Sequence, residues 1–446
     1  MNLRCPTLVL LVLATAGTAS GADAVLTTRR LANGLEVLVY PDPVVPIVTA
    51  ELVVRSGASY ETPASSGLAH LYEHLFWPDP ARPRPGLPVL KDRGISFNAQ
   101  TRNESTGFYI VAPRDGLRDS LAYLREALRG PDLGPEHLAA QKAILLAEIR
   151  QADANPYTLM TRRVHELLFP RNRTFKNALG LEVVVDSAFA RDVAALHRRI
   201  TVPANLAVVV TGDCEPEAAF RLAADLFGDL PAGEAPPAQA EPGPPAARAG
   251  AEIITSPQVS DVVVKLGWRG PGVATDRAAT YAADLLSTIL EEPGGRFQRT
   301  LVDSGLAIGA EVTYATQRGT GVINVLFKSN PAKARDALRT VRQEIAALTT
   351  PGYFTDEELA NARARIIADE LFQREDLVRY SHTLGFWWAS AGTDYLQDRI
   401  ELTRRTGRAE IDDYIRRYLL AAPVSVAVVP DGRDRRALNT ADLQAK

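Results

Sequence analysis

The feature that most constrains the fold is a proline-rich segment near the middle of the chain. Residues 231–251 read PAGEAPPAQAEPGPPAARAGA. Proline at this density fixes φ and removes backbone donors, so the segment is expected to form an extended linker and not a helix or a strand. A long surface loop inside one domain is the alternative. We favour a domain boundary, because the stretches on either side are similar in length and in the order of their predicted elements.

Each half predicts β-strands first, then helices, then one late strand. In the first half the predicted strands and helices are strands 35–40 and 47–54, helices 67–77 and 135–153, and strand 206–211. In the second half they are strands 252–255 and 261–268, helices 278–290 and 355–375, and strand 424–429. This order predicts an α+β fold in which helices pack on one face of a mostly antiparallel sheet. The halves are interpreted as diverged copies of one unit.

Composition excludes several classes of protein. The 446 residues are 46% hydrophobic and 23% charged, with a net charge of −3, which fits a folded chain of about two to three domains. Collagen-like, coiled-coil and disordered chains are excluded. The near-neutral charge argues against a nucleic-acid partner. Only Cys5 and Cys214 occur, so there is no disulfide framework.

The first residues predict a secretory signal peptide over residues 1–22. Arg4 precedes an apolar run, residues 8–14, and small residues follow at 19–22. A membrane anchor is the alternative, but the run is shorter than the ~20 residues needed to span a bilayer, and no other stretch is apolar enough. Export together with few cysteines predicts a periplasmic protein. The predicted domain order is therefore signal peptide 1–22, N-terminal domain 23–230, linker 231–251 and C-terminal domain 252–446.

Two of the six histidines lie in one predicted helix, residues 67–77. His70 and His74 are four residues apart and project from one helical face, with Glu73 beside them. Ser65 or Ser66 is expected to cap the helix, and Pro78 to end it. An apolar stripe lies opposite, comprising Leu68, Leu71, Tyr72, Leu75 and Phe76.

The spacing His-x-x-Glu-His is typical of a zinc peptidase site. Two imidazoles bind Zn²⁺, and the carboxylate between them acts as general base on the zinc-bound water. The alternative is two histidines on an ordinary helix. A catalytic zinc site also needs a third protein ligand, usually a carboxylate. Glu148 in the predicted helix 135–153 is the candidate, with Gln141 on the same face, although spacing alone does not distinguish Glu148 from Glu136 or from a solvated glutamate.

Taken together, these motifs resemble the pitrilysin/insulinase family of zinc metallopeptidases, whose relatives include mitochondrial processing peptidase. The resemblance covers nearly the whole chain after the signal peptide, most clearly at residues 57–61, 67–76, 97–109, 141–148, 205–213 and 227–231. It implies two homologous α/β-roll domains and one Zn²⁺ held by His70, His74 and Glu148, with Glu73 as general base. It also implies that Asn98 and Ala99 lie on an edge strand that binds an extended peptide substrate.

The sequence departs from the family pattern in two places. Gln141 stands where the family usually has glutamate, which removes a charge from the surroundings of the metal and is expected to alter rate or affinity. In the second half, an arginine and a tyrosine that contact substrate in active relatives are replaced by Val302 and Ile308. Neither side chain can donate a hydrogen bond to a developing oxyanion.

The resulting functional prediction is a periplasmic zinc-dependent endopeptidase that hydrolyses short or unfolded peptides. A homologous partner chain that lacks the zinc motif is expected to supply the missing arginine and tyrosine in a heterodimer, and a homodimer is possible. The alternatives are a zinc-binding but weakly active or inactive subunit, and a structural scaffold of the same fold. The aromatic cluster 386–388 is interpreted as core or domain interface.

Overall fold

The computed structural model describes residues 25–78, 95–238 and 250–444. The predicted signal peptide, residues 1–22, lies outside the described residues, as does most of the predicted linker. In the described ranges, no helix combines the length and the apolar character needed to cross a membrane.

The first half of the chain builds a six-stranded sheet with the order β1-β2-β6-β3-β5-β4. Only β2 and β6 pair in parallel, and the other neighbours are antiparallel. The strands are Thr27–Arg30 (β1), Glu36–Pro41 (β2), Ile47–Val54 (β3), Ser96–Thr101 (β4), Thr106–Pro113 (β5) and Leu206–Gly212 (β6).

Seven α-helices accompany this sheet in the described part of the first half. One sheet face packs against α1, α2, α3, α6 and α7 and forms a fully apolar core. The helices are Leu68–Phe76 (α1), Leu117–Ala127 (α2), Pro135–Ala154 (α3), Pro156–Leu168 (α4), Glu182–Ser187 (α5), Ala190–Ile200 (α6) and Pro216–Phe227 (α7).

The second half repeats this plan with five strands in the order β7-β11-β8-β10-β9. Again one pair, β7 and β11, is parallel and the rest are antiparallel. Apart from β1, strand order and direction match the first sheet, so the predicted pair of homologous α+β units is confirmed. The strands are Ala251–Ser256 (β7), Val262–Arg269 (β8), Gly309–Ala315 (β9), Val322–Ser329 (β10) and Val424–Pro430 (β11).

The helices of the second half cover its sheet in the same way and enclose a second apolar core. Short 3₁₀ and π turns join several of them. The helices are Arg277–Leu290 (α8), Arg296–Gln298 (α9), Ala334–Ala347 (α10), Asp356–Phe372 (α11), Leu377–Ser390 (α12), Thr393–Arg405 (α13), Arg408–Tyr414 (α14) and Thr440–Gln444 (α15).

The two halves exchange a helix across their outer sheet faces, so the prediction that helices pack on only one face of each sheet is wrong. Helix α4 of the first half packs on β8 and β11, where Val164 lies against Gly267 and belongs to one buried cluster with Val424. Helix α12 of the second half packs on β3 and β6, where Trp388 is buried beside Val53 and Val209. The prediction that the aromatic cluster belongs to a core or interface is therefore confirmed for its two tryptophans. The boundaries 23–230, 231–251 and 252–446 stay a prediction.

Candidate metal centre

Helix α1 carries the histidine motif. A carboxylate from outside the helix accepts hydrogen bonds from its N-terminal N–H groups. The helix begins after Gly67, which has φ of 100°. Glu61 is 2% exposed and accepts the N–H groups of Gly67 at 2.9 Å and Ala69 at 2.7 Å. The expected cap by Ser65 or Ser66 is wrong, because the left-handed turn at Gly67 aims these donors at Glu61.

The buried side of α1 fixes the helix against the sheet. Leu71, Tyr72, Leu75 and Phe76 are fully buried, and the Phe76 ring stacks on a ring of β5 at 3.6 Å between centroids. The Tyr72 hydroxyl lies 3.2 Å from a ring nitrogen of α6. The helix ends before Pro78, as predicted. Because these contacts fix the buried face of α1, the side chains on its opposite face have defined positions.

The structure brings the three predicted ligands together. The Nε2 atoms of His70 and His74 each lie 3.7 Å from Oε2 of Glu148, which α3 supplies. One ligand atom from each residue lies within 4.8 Å of the other two. Glu136 stands in the exposed first turn of α3, about three turns from Glu148. Geometry thus favours Glu148 over Glu136, a choice that spacing left open.

The donor set fits a zinc ion. Two imidazole nitrogens and one carboxylate oxygen are the ligands of many catalytic zinc sites, with a fourth position left for water or substrate. Burial and the neighbouring His74 lower the pKa of His70 to about 4, although a hydrogen bond to the backbone of Leu179 opposes this shift. His70 is therefore neutral at pH 7, as a metal ligand must be.

Glu73 lies between the ligands and the edge strand β4. Its side chain is 13% exposed, and its Oε2 lies 4.0 Å from Nε2 of His70. Within the described residues this buried oxygen has no hydrogen-bond partner. Burial raises the pKa of Glu73 to about 7; hydrogen bonds from Thr101 oppose the rise, and the charge of Glu148 adds to it. A carboxylate in this state is suited to general acid–base chemistry near neutral pH.

Gln141 contacts His74 at the ring nitrogen that does not face Glu148. Its Oε1 lies 3.3 Å from Nδ1 of His74. An amide oxygen can only accept, so this contact places the proton on Nδ1 and leaves a lone pair on Nε2, the ring nitrogen nearer Glu148. The amide therefore orients the ring, as a glutamate would, but without a negative charge.

Asn98 and Ala99 lie on β4, which pairs with β5 alone among the described strands. Ala99 packs against the core on the α1 side. The Asn98 side chain is exposed on the opposite face, since side chains alternate along a strand, and its Oδ1 accepts the Ala99 N–H at 2.8 Å. Both residues thus occupy the edge strand of the described sheet, while their contact with a substrate stays a prediction.

Val302 and Ile308 lie around the start of β9. Val302 is in a π turn and packs partly against the second core. Ile308 is 57% exposed. This segment therefore presents no side-chain donor at either position, as the sequence predicted.

Sequence reasoning missed Glu61 and Thr101. Strand alternation could have placed Thr101 on the same face as Ala99, and hence facing α1. Nothing in the sequence pairs Glu61 with N–H groups six and eight residues further along the chain.

Comparison with known proteins agrees with this geometry. Residues 36–180 match the family description "Insulinase (Peptidase family M16)", and residues 189–366 match "Peptidase M16 inactive domain". An "Uncharacterized zinc protease" of Rickettsia bellii is 23% identical over 414 residues, covering 90% of this chain and 97% of that protein. The mitochondrial-processing peptidase subunit beta of Blastocladiella emersonii is 27% identical over 228 residues, covering 50% of this chain and 49% of that protein.

Solved structures share the fold. A protease from Helicobacter pylori aligns with a TM-score of 0.79 at 20% identity, covering 92% of this chain and 100% of the other. The periplasmic protease PqqL from Escherichia coli aligns with a TM-score of 0.76 at 17% identity, covering 94% of this chain and 49% of the other. Two consecutive family matches, zinc-protease relatives and a shared two-sheet fold lead to one conclusion: this chain belongs to the insulinase family of peptidases, family M16.

Proposed function

We propose that this chain is a zinc-dependent endopeptidase that hydrolyses short or unfolded peptides. The observation that carries the proposal is the convergence of His70, His74 and Glu148 within 4.8 Å, with Glu73 buried beside them. A bound Zn²⁺ would polarise the scissile carbonyl and lower the pKa of the attacking water.

Glu73 is the proposed general base. Its Oε2 is buried and has no hydrogen-bond partner among the described residues, so it can accept a proton from water. With a pKa raised to about 7 by burial, the same group can return that proton to the leaving amine near neutral pH. Thr101 hydrogen-bonds to Glu73 from the end of β4, which ties the base to the strand where substrate is proposed to lie.

The edge of β4 is the proposed peptide-binding element, with Asn98 and Ala99 at its centre. An extended peptide that adds to a sheet edge is held by main-chain hydrogen bonds. Such bonds do not depend on side-chain identity, so many sequences can be accommodated. Folded proteins do not present a free extended segment, which favours short or unfolded peptides as substrates.

A partner chain is proposed to complete the site. Val302 and Ile308 offer no donor for a developing oxyanion. A homologue with arginine and tyrosine at these positions would supply them in a heterodimer, and two copies of this chain would not. The name of the B. emersonii relative, a beta subunit, supports assembly with a second chain. PqqL supports the same idea, since this chain matches only 49% of its length.

A periplasmic location is proposed from the predicted signal peptide, residues 1–22, and from the periplasmic protease PqqL. The second candidate function is a zinc-binding subunit with little or no activity. Gln141 beside His74 and the apolar Val302 and Ile308 favour it. A structural scaffold is less favoured, because a scaffold has no need for the complete set of two histidines and two glutamates.

The test compares zinc content with peptide hydrolysis in the wild type and in Glu73→Gln. We expect about one zinc per chain in both proteins by mass spectrometry of the metal. Casein and fluorogenic peptide hydrolysis should fall by about 10²–10⁴ in the variant. Glu401→Gln, a half-exposed glutamate on α13, is the matched control and should retain full activity.

Each reaction is run with the chain alone and with an added homologue that carries the arginine and tyrosine. Hydrolysis only in the mixture supports the heterodimer, whereas full activity of the lone chain removes the need for a partner. Stoichiometric zinc without hydrolysis in either reaction would leave the inactive subunit as the better description.

A further inference from the structure

The turn that follows β4 places an arginine next to the proposed reaction centre. Thr101, the last residue of β4, hydrogen-bonds to Glu73. Arg102 follows directly, and its N–H donates to the carbonyl of Ser105 at 2.8 Å, which closes the turn to β5. One residue of extended chain spans about 3.3 Å. If a substrate peptide pairs with β4, the Arg102 side chain therefore begins one or two peptide residues away from the scissile bond beside Glu73.

Both halves of the chain hold this turn. On one side is Gly57, with φ of 123°, where an added Cβ would lie 2.1 Å from the carbonyl oxygen of Arg102. The Ser59 N–H donates to the carbonyl of Asn103 at 2.8 Å. On the other side, both carboxylate oxygens of Glu104 accept the N–H of Arg318, at 3.0 Å each. A turn fixed in this way presents Arg102 from a rigid frame.

The Arg102 guanidinium lines a cavity of about 330 Å³ between the two halves. It lies 5.7 Å from the ring centroid of Phe386 and donates to Oε1 of Gln100 from Nε at 3.3 Å and Nη2 at 3.1 Å. The remaining N–H donors of the fork make no other hydrogen bond within the described residues. The cavity is lined by Arg102, Asn103, Glu104, Ala178, Gln317 and Phe386.

Within the described ranges, no carboxylate lies at ion-pair distance from this guanidinium. Two acids in its surroundings are engaged elsewhere: Glu104 accepts the backbone N–H of Arg318, and Oε2 of Glu51 lies 2.8 Å from both the Ser381 hydroxyl and Nδ1 of His382. Burial lowers the pKa of Arg102, which the charge of Glu51 opposes. A partly buried, unpaired cation gains free energy when a carboxylate enters its cavity.

Strand alternation specifies which substrate side chain reaches this cavity. Residues 97, 99 and 101 of the edge strand face the α1 side, while 98 and 100 face the other side, together with Arg102. A peptide paired with β4 alternates in the same way. Every second side chain of that peptide therefore points to the face that carries Arg102.

We infer that Arg102 forms a subsite that selects an acidic side chain in the peptide, one or two residues from the cleaved bond. The inference rests on the proposed function and adds a substrate class to it: extended peptides with aspartate or glutamate at one position near the scissile bond. The guanidinium recognises the carboxylate, and the turn fixed by both halves of the chain supplies the geometry.

Binding is measured on the zinc-loaded, full-length Glu73→Gln protein, so that hydrolysis does not interfere. The probes are fluorescently labelled peptides of alanine and serine in which one glutamate, glutamine or lysine is moved along the sequence. At one position we expect glutamate to bind about tenfold more tightly than glutamine, the usual size of a charge-assisted hydrogen bond, and lysine more weakly than both. The preference should decrease as salt is raised.

The double variant with Arg102→Gln should bind the glutamate and glutamine peptides within about twofold of each other, while Arg102→Lys should retain part of the preference. Arg114→Gln, which removes an exposed arginine paired with Asp213, is the matched control and should retain all of it. Circular dichroism shows that each variant is folded. A preference that persists in Arg102→Gln, or is absent from the parent protein, overturns the subsite. Peptide binding or cleavage without an acidic preference leaves the proposed function standing, whereas a failure of every peptide to bind or be cleaved overturns both.

Discussion

Helices α1 and α8 occupy the same place in the two halves of the molecule but carry different chemistry. Each follows the antiparallel central strand of its sheet, β3 or β8, and packs on the same sheet face. Each also lies beside a long helix, α3 for α1 and α11 for α8. On α1 the exposed side presents two histidines and a glutamate. On α8 the only residue beyond the first position with a charged side chain at neutral pH is Asp284.

The helices α8 and α11 together bind the guanidinium group of an arginine from the same chain. Asp284 of α8 lies 3.3 Å from Nη2 of Arg399, and Glu370 of α11 lies 3.4 Å from its Nε. Burial raises the pKa of Asp284, and Arg399 opposes the rise. In the first half, the imidazoles of α1 and the carboxylate of α3 converge in a similar way, at the proposed zinc site. If that proposal holds, the same pair of helices serves stability in one half and chemistry in the other.

The two helices are also capped differently. Asp276 immediately precedes α8, and its side chain accepts the Ala279 N–H at 3.3 Å. Helix α1 is capped by Glu61 from six residues upstream, after a glycine with positive φ. Burial raises the pKa of Glu61 to about 7, although hydrogen bonds from Gly67 and Ala69 oppose the rise. The helix that carries the proposed reaction is therefore capped by a buried carboxylate, and its counterpart by an ordinary cap.

The largest expected effect comes from removing the internal cation. Arg399→Met leaves two buried carboxylates without a partner and should lower the free energy of unfolding by about 3–5 kcal/mol. Urea denaturation followed by fluorescence measures this. Arg404→Met, on the same helix but 60% exposed, should change it by less than about 0.5 kcal/mol. Equal effects of the two variants would show that the buried network does not stabilise the second half. Zinc binding by the folded Arg399→Met protein should be unchanged.

The second effect concerns the buried cap of α1. The folded pKa of Glu61, about 7, exceeds the reference value of 4.5, so the folded state binds the proton more tightly than the unfolded state. The stabilising contribution of protonated Glu61 is complete below pH 4.5 and is lost as the pH rises through 7. Between pH 5 and 8, the wild type should lose about 2–3 kcal/mol more than Glu61→Gln in urea denaturation of the zinc-free protein.

The conventional cap of α8 provides the control for this pH dependence. Burial acts to raise the pKa of Asp276, but hydrogen bonds from Tyr418 and Arg417 outweigh it, and the pKa lies below its reference value of 3.8. The stabilising contribution of ionised Asp276 is lost only as the pH falls below about 3.8. Asp276→Asn should therefore change the free energy of unfolding by the same amount at pH 5 and pH 8. Parallel pH profiles for the wild type and Glu61→Gln would contradict the assignment of a buried, proton-binding cap.

The smallest expected effect concerns the charge behind His74. Gln141→Glu replaces the amide oxygen 3.3 Å from Nδ1 of His74 with a carboxylate, which makes the imidazole a stronger donor. The affinity for zinc, measured by competition with a chelator, should rise about tenfold. Gln343→Glu adds the same charge on the exposed face of α10 and should leave the affinity unchanged. If both variants gain equally, the effect is one of net charge and not of a local contact.

The sequence predicted those features that depend on local periodicity. The strand 47–54 and the histidine helix were expected within one residue of their observed bounds, because alternation and helical spacing determine them. His70 and His74 came from spacing alone. Glu148 needed the family resemblance, since Glu136 satisfies the same helical pattern. Helix exchange between the halves could not be predicted, because the apolar side of α4 or α12 does not indicate which sheet it covers.

Contacts between distant residues were equally inaccessible. Asp284 and Arg399 are 115 positions apart (399 − 284), and neither belongs to a motif. The cavity beside Arg102 is formed by a turn of the first half together with Gln317 and Phe386 of the second. Such sites depend on how two units are docked, and periodicity within each unit carries no information about docking.

The exchange of α4 and α12 has a consequence for the order in which the protein matures. A nascent chain that ends before residue 377 exposes the apolar outer face of its first sheet, including Leu38, Val53 and Val209, because the helix that buries them has not yet been synthesised. The N-terminal half therefore cannot complete its folding while it is being translated. The outer face of this sheet is covered only after residues 377–390 have left the ribosome, so the proposed metal ligands of α1 and α3 belong to a scaffold that is complete only from that point.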